Sequence, residues 1–142
     1  PSGSSLKFCL LAEGAAELLS APSGWVRLME GLSEGLSALL EAEPGARLHL
    51  RQVKEKFGTL RVYASVEGPD AFRAAAWEVT DWATAASERR CALTGRPGMM
   101  DPEGWLLVLS PEATVWRRAE PDAFHRAIYP PSPRPEPEAP AP

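Results

Sequence analysis

ARLHLRQVKEKFGTLRVYASVE, residues 46–67, carries two alternating runs separated by a charged stretch that ends in glycine. Leu60, Val62, Ala64 and Val66 alternate with Arg61, Tyr63, Ser65 and Glu67, the two-residue period of a strand with one face buried. Leu48 and Leu50 alternate with Arg47, His49 and Arg51 in the same way, but the apolar phase slips before Val53. A bulge near Gln52 absorbs such a slip. The two runs therefore predict an antiparallel hairpin. Its connection reads as Lys54-Glu55-Lys56-Phe57-Gly58, longer than a two-residue turn, with Gly58 free to adopt positive φ.

Working outward, the flanks are helical. Trp25, Leu28, Met29, Leu32, Leu36, Leu39 and Leu40 recur at three- and four-residue steps, with Glu30, Glu34 and Glu41 on the other side. Ser23 is placed as the N-cap of this helix, and Pro44-Gly45 ends it. Gly31 and Gly35 each cost about 1 kcal/mol against alanine in a helix interior, so tertiary packing, or a close neighbour across a glycine face, is expected to offset them. An earlier amphipathic helix is read over Phe8 to Leu19. After Gly68-Pro69-Asp70, the residues Phe72, Ala75, Ala76, Val79, Trp82, Ala83 and Ala86 form a further apolar stripe suited to lying on the sheet. Trp77 falls off that stripe, to pack on a terminal segment or to serve as a partner contact.

Beyond Arg90 the texture changes to a turn-rich knuckle, Cys91 to Gly98, then a short strand at Trp105 to Leu109. Ser110-Pro111-Glu112 starts a helix with proline at its first position, and Pro121-Asp122 starts another turn carrying Phe124, Ala127 and Ile128. From Pro130 seven of the last thirteen residues are proline, the composition of an extended solvated tail. The expected organisation is an α+β domain over 1–129, with N-terminal helices and a middle helix packed on a short antiparallel sheet, a turn-rich lobe over 91–118, and a disordered tail over 130–142.

At 142 residues and 44% hydrophobic composition, one modest core is expected. No stretch approaches the roughly 18 apolar residues of a membrane span. Leu6 to Ala12 is interrupted by Lys7, unlike a signal-peptide core, so the expectation is a cytoplasmic protein without membrane contact. Two cysteines, Cys9 and Cys91, make no disulfide framework, leave at most a single bridge open, and fit a reducing compartment best. Net charge is -4, which excludes a whole-chain polycation, yet Arg47, Arg51, Lys54, Lys56 and Arg61 face only Glu55 within residues 47–61. The hairpin is a basic island on an acidic protein.

Several features together resemble a group of small proteins common in phages and prophages: Gly24-Trp25, the run Gln52 to Tyr63, Ser87 to Cys91, and Gly104-Trp105-Leu106. The most specific part is Val53 to Arg61, and the resemblance covers about residues 24–113. It implies a fold rather than an activity. It also implies a metal knuckle of the form Cys-x-x-Cys-Gly followed by Leu-Cys-x-x-His or Cys. Here those segments read Cys91-Ala92-Leu93-Thr94-Gly95 and Leu109-Ser110-Pro111-Glu112-Ala113. Structural zinc requires four cysteine or histidine ligands. Cys91 alone is retained, and Cys9, His49 and His125 lack the paired spacing to complete a set. The resemblance thus implies a degenerate zinc-ribbon-like lobe over 91–118, a knuckle without metal, held by Trp105, Leu107 and Met99.

Catalytic constellations are missing from the sequence. His49 lies on a polar strand face and His125 near the end of the chain, so neither stands in an evident nucleophile–base–orienter set. Cys91 reads as a small buried thiol rather than a nucleophile. Gly95 to Gly98 lacks the phosphate-loop pattern, and the acid pairs Glu41/Glu43 and Asp101/Glu103 read as solvated ends and turns. A non-enzymatic, cofactor-free binding protein is expected, first for another protein, in an interaction role or in an inhibitor/immunity-type role in which the acidic helical body blocks a basic partner. Nucleic acid is the alternative, with Arg47, Arg51, Lys54, Lys56 and Arg61 on phosphates and Tyr63 stacked on a base. The plain counterpart is a solvated sheet face whose charges resist edge pairing. Pro130 to Pro133 and Pro137 to Pro140 have PxxP spacing, which serves either a polyproline ligand or a spacer.

Overall fold

The hairpin forms, and its register carries the predicted slip. A computed structural model describes residues 21–129; the helix expected over Phe8 to Leu19 and the tail from Pro130 lie outside the described residues. Strand β1, Arg47–Lys56, pairs antiparallel with β2, Thr59–Glu67, and the register shifts between Leu50 and Gln52, leaving Arg51 as the extra residue. Leu48, Leu50 and Val53 thus stay on one face, opposite Val66, Ala64 and Val62.

The connection is tighter than expected. Lys56 pairs with Thr59, so Lys54, Glu55 and Lys56 belong to the strand and only Phe57-Gly58 form the turn. Both residues have positive φ, 54° and 85°, the requirement of a two-residue hairpin turn whose twist matches its strands. Glu55 falls on the inner face, where a carboxylate needs partners. Its Oε2 accepts the Gly58 amide at 2.9 Å and its Oε1 the Tyr129 hydroxyl at 3.4 Å.

Two helices cover the inner face. Helix α1, Val26–Ala42, follows a 3-10 turn at Ser23–Trp25. Helix α2 spans Asp70–Ser87. Leu28, Leu32, Leu36 and Leu40 of α1 share one buried cluster with Phe72, Ala76 and Ala83 of α2 and Leu48, Leu50, Val53 and Leu60 of the hairpin. The glycine face is occupied as expected: a Cβ on Gly31 would lie 2.7 Å from the Trp82 ring, and one on Gly35 would lie 3.0 Å from Val79 Cγ1. Trp82 covers the seam from outside and remains exposed, not buried as its place on the stripe suggested. At the outer edge of β2, Leu60 hydrogen-bonds to the helix: its amide donates to Ser87 Oγ and its carbonyl accepts from Thr84 Oγ1, each at 2.8 Å.

Among the described residues, the buried apolar side chains form two clusters rather than one. The second contains Cys91, Ala92, Leu107, Leu109, Ala113, Phe124 and Ile128. It is built by a two-stranded sheet, β3 Met99–Asp101 with β4 Leu107–Leu109, and by helices α3, Pro111–Ala119, and α4, Pro121–Ile128. Ser110 caps α3 by accepting the Ala113 amide. Only Leu107 of the three expected packing residues is buried; Met99 and Trp105 are exposed, and β4 begins after Trp105. Phe124 and Ile128 fill the space instead. Ser23 is not a cap. Its hydroxyl donates toward Ala127 O at 3.0 Å and Leu93 O at 3.4 Å, fastening the start of α1 to the second lobe.

Candidate binding surface

The outer hairpin face gathers most of the residues singled out from the sequence. Past the bulge, Lys54 stands directly opposite Arg61 and Gln52 opposite Tyr63, while Arg47 stands opposite Glu67. Arg51, the bulged residue, donates from Nε to Ser65 Oγ at 2.6 Å, and Arg61 from Nε to Thr59 Oγ1 at 3.2 Å. Lys54 Nζ lies 5.7 Å from the centre of the Tyr63 ring, and Lys56 Nζ the same distance from the Phe57 ring. Among the described residues, no carboxylate forms an ion pair with Arg47, Arg51, Lys54, Lys56 or Arg61. Like charges directly opposite on a sheet repel, so the Lys54/Arg61 pair leaves this face electrostatically unsatisfied. Trp77 does not join them. It is half-exposed on α2, the layer packed on the other face of the sheet.

Sequence reasoning missed the hairpin tip. Phe57 is 64% exposed at φ 54°, a conformation bulky side chains rarely adopt. Beneath it the close approach of the second lobe requires Gly58, where a Cβ would sit 2.9 Å from Met100 Cε and 3.2 Å from Leu106 O. Phe57, Trp105, Leu106 and Tyr129 line a groove of about 370 Å³, with Glu55 and Lys56 at its hairpin side. Burial first, then the charge of Glu55 and the hydrogen bond to it, pushes the Tyr129 hydroxyl well above the usual phenol range. It stays protonated and holds the two lobes together. The available signal was an aromatic residue directly before glycine, where a hairpin turn favours asparagine.

Beside the groove, Asp101 corrects another expectation. It is not a solvated turn residue but is 4% exposed. Arg117 reaches its Oδ2 at 2.9 Å, Arg118 clasps both oxygens, and Arg118 Nε also meets Glu103 at 2.6 Å. Arg117 further donates to Trp105 O at 2.8 Å and lies 5.7 Å from the Trp105 ring centre. His125 meets that ring edge-on at 4.8 Å. These contacts fix Trp105 at the rim of the groove.

The knuckle residues do converge. Thr94 N–H donates to Cys91 Sγ at 3.4 Å. Burial, the largest influence on the Cys91 thiol, raises its pKa, but hydrogen bonds from Thr94 and Ser110 together outweigh it and the net shift is downward. The sulfur is fully buried in the second cluster. Among the described residues, no three His, Cys, Asp or Glu side chains are grouped to hold a metal ion. No helix of the described residues is long and apolar enough to cross a membrane. Comparison with known proteins finds no matching family model, no matching curated protein and no matching solved structure.

Proposed function

We propose that this protein is a non-enzymatic protein-binding module whose contact surface runs from the cationic outer face of the hairpin to the aromatic groove at its tip. The observation that carries this reading is Phe57. A bulky ring held at positive φ and left largely in solvent costs conformational energy without contributing to the core, the pattern of a side chain kept for contact. Exposed Met100 and Trp105 adjoin it, and aromatic residues, methionine and arginine are the types enriched where proteins meet. Five cations without acidic partners among the described residues direct the choice toward an acidic protein surface that offers an apolar anchor for the groove. The inhibitor/immunity-type role read from the sequence rests on the acidic helical body against a basic partner; the hairpin surface is a different one, suited to an acidic partner.

The test is recovery of a partner from cells that encode the protein, comparing the wild type with Trp105→Ala and with Lys54→Gln/Arg61→Gln. Loss of one and the same partner in both variants supports the reading; its retention in both refutes it.

A second reading is favoured by Tyr63, 41% exposed among the cations: single-stranded nucleic acid with a base on the ring. It predicts binding to a labelled oligothymidylate that weakens steeply with salt. Absence of binding at 50 mM salt would exclude it.

A further inference from the structure

Away from the hairpin, three arginines from three segments surround one cleft of about 530 Å³. Arg27 comes from the first turn of α1, Arg90 from the exit of α2, and Arg96 from the knuckle loop. The cleft is held firmly. Gly24 N–H donates to Ala92 O at 2.8 Å, Cys91 N–H to Arg96 O at 2.7 Å, and Arg90 bridges Pro97. Gly95 approaches the Gly24 turn so closely that a Cβ on it would lie 2.8 Å from Gly24 O.

No hydrogen bond or ion pair joins any of the three guanidinium groups to a described residue. Arg117 and Arg118, by contrast, are saturated by Asp101, Glu103 and Trp105 O. Arg90 is also partly buried, which makes an unsatisfied charge more costly. Arg27 sits at the positive end of the α1 dipole, where a cation is disfavoured and an anion favoured. Glu30 is the one carboxylate among the described lining residues. The backbone donors nearby are already used, Gly24 on Ala92 O and Trp25 on Pro22 O, so the guanidinium groups are what the cleft offers.

We infer that this cleft binds the phosphate group of a small phosphate monoester. Arginine presents planar paired donors that match phosphate oxygens, and three of them, less the charge of Glu30, balance a dianion. The cleft has the size of a small-molecule site rather than of a bare ion, and exposed Val26 supplies an apolar wall for the organic carrier. The site is independent of the hairpin surface.

The test is an NMR titration of the full chain at constant ionic strength with ribose 5-phosphate and with inorganic phosphate. Saturable shifts centred on Gly24, Gly95 and Arg96 are expected, with ribose 5-phosphate binding at least fivefold more tightly. Arg27→Gln and Arg96→Gln, both at exposed positions, are each expected to weaken binding at least fivefold while the rest of the spectrum is preserved. Lys54→Gln/Arg61→Gln is expected to leave it unchanged. Shifts that rise linearly without saturating, or that persist in both arginine variants, would overturn the site. Inorganic phosphate binding as tightly as the ester would overturn the assignment to a monoester.

Discussion

Asp101 accepts hydrogen bonds from both terminal nitrogens of Arg118, at 2.9 Å on Oδ2 and 2.7 Å on Oδ1. This grip, opposed by burial and reinforced by the Glu103 amide and by the charges of Arg118 and Arg117, lowers the carboxyl pKa from 3.8 to about 2. A pKa depressed by folding means stabilisation that is complete above the unfolded value near 3.8 and is lost as pH falls through about 2. Acid is therefore expected to loosen the second lobe between those values, read by NMR of the Trp105 and Trp116 indoles. Asp101→Asn should cost on the order of 3 kcal/mol at pH 7 and flatten the acid response, because it leaves two arginines without their shared buried charge. An unaltered acid profile in that variant would contradict the assignment.

Ser87 is fully buried and ties α2 to β2: it accepts the Leu60 amide while donating to Thr84 O at 2.6 Å. Ser87→Ala leaves a buried amide without its acceptor, a loss of about 1 to 3 kcal/mol. Urea unfolding measures the loss, and hydrogen exchange at Leu60 is expected to accelerate. Unchanged exchange at Leu60 would mean that the hydroxyl does not hold this edge.

The seam between α1 and α2 gives a prediction opposite to helix propensity. Any side chain other than that of proline at Gly31 should favour an isolated helix, by up to about 1 kcal/mol. The Trp82 ring occupies that space, so Gly31→Val is expected to destabilise the protein by about 2 kcal/mol in urea unfolding. Trp82→Ala in the same chain should recover part of the loss. A Gly31→Val protein more stable than wild type would show that the ring does not lie on the glycine.

How far the sequence reveals this structure depends on whether a feature is periodic. The bulge at Arg51 was readable because the apolar phase visibly slips between Leu50 and Val53, and the glycine face of α1 was readable from its cost. The short turn was hidden because Lys54-Glu55-Lys56 has loop composition, and the inward position of Glu55 makes sense only once Gly58 and Tyr129 supply its partners. Asp101 looked solvated because its arginines lie sixteen and seventeen residues away. Arg47, Arg51 and Arg61 could be read as one face from alternation, whereas Lys54 and Lys56, read as part of the connection, join that face only because the turn shrinks to Phe57-Gly58. Arg27, Arg90 and Arg96 could not, since only the docking of the knuckle on the Gly24 turn brings them together.

The most direct test of the binding surface separates folding from contact at one residue, Phe57. Asparagine tolerates positive φ far better than phenylalanine and suits a turn that continues with glycine. Phe57→Asn is therefore predicted to raise the melting temperature, by about 1 kcal/mol of stability, while partner recovery from cells falls at least tenfold. A variant that is more stable and still recovers the partner as well as the wild type would contradict the account.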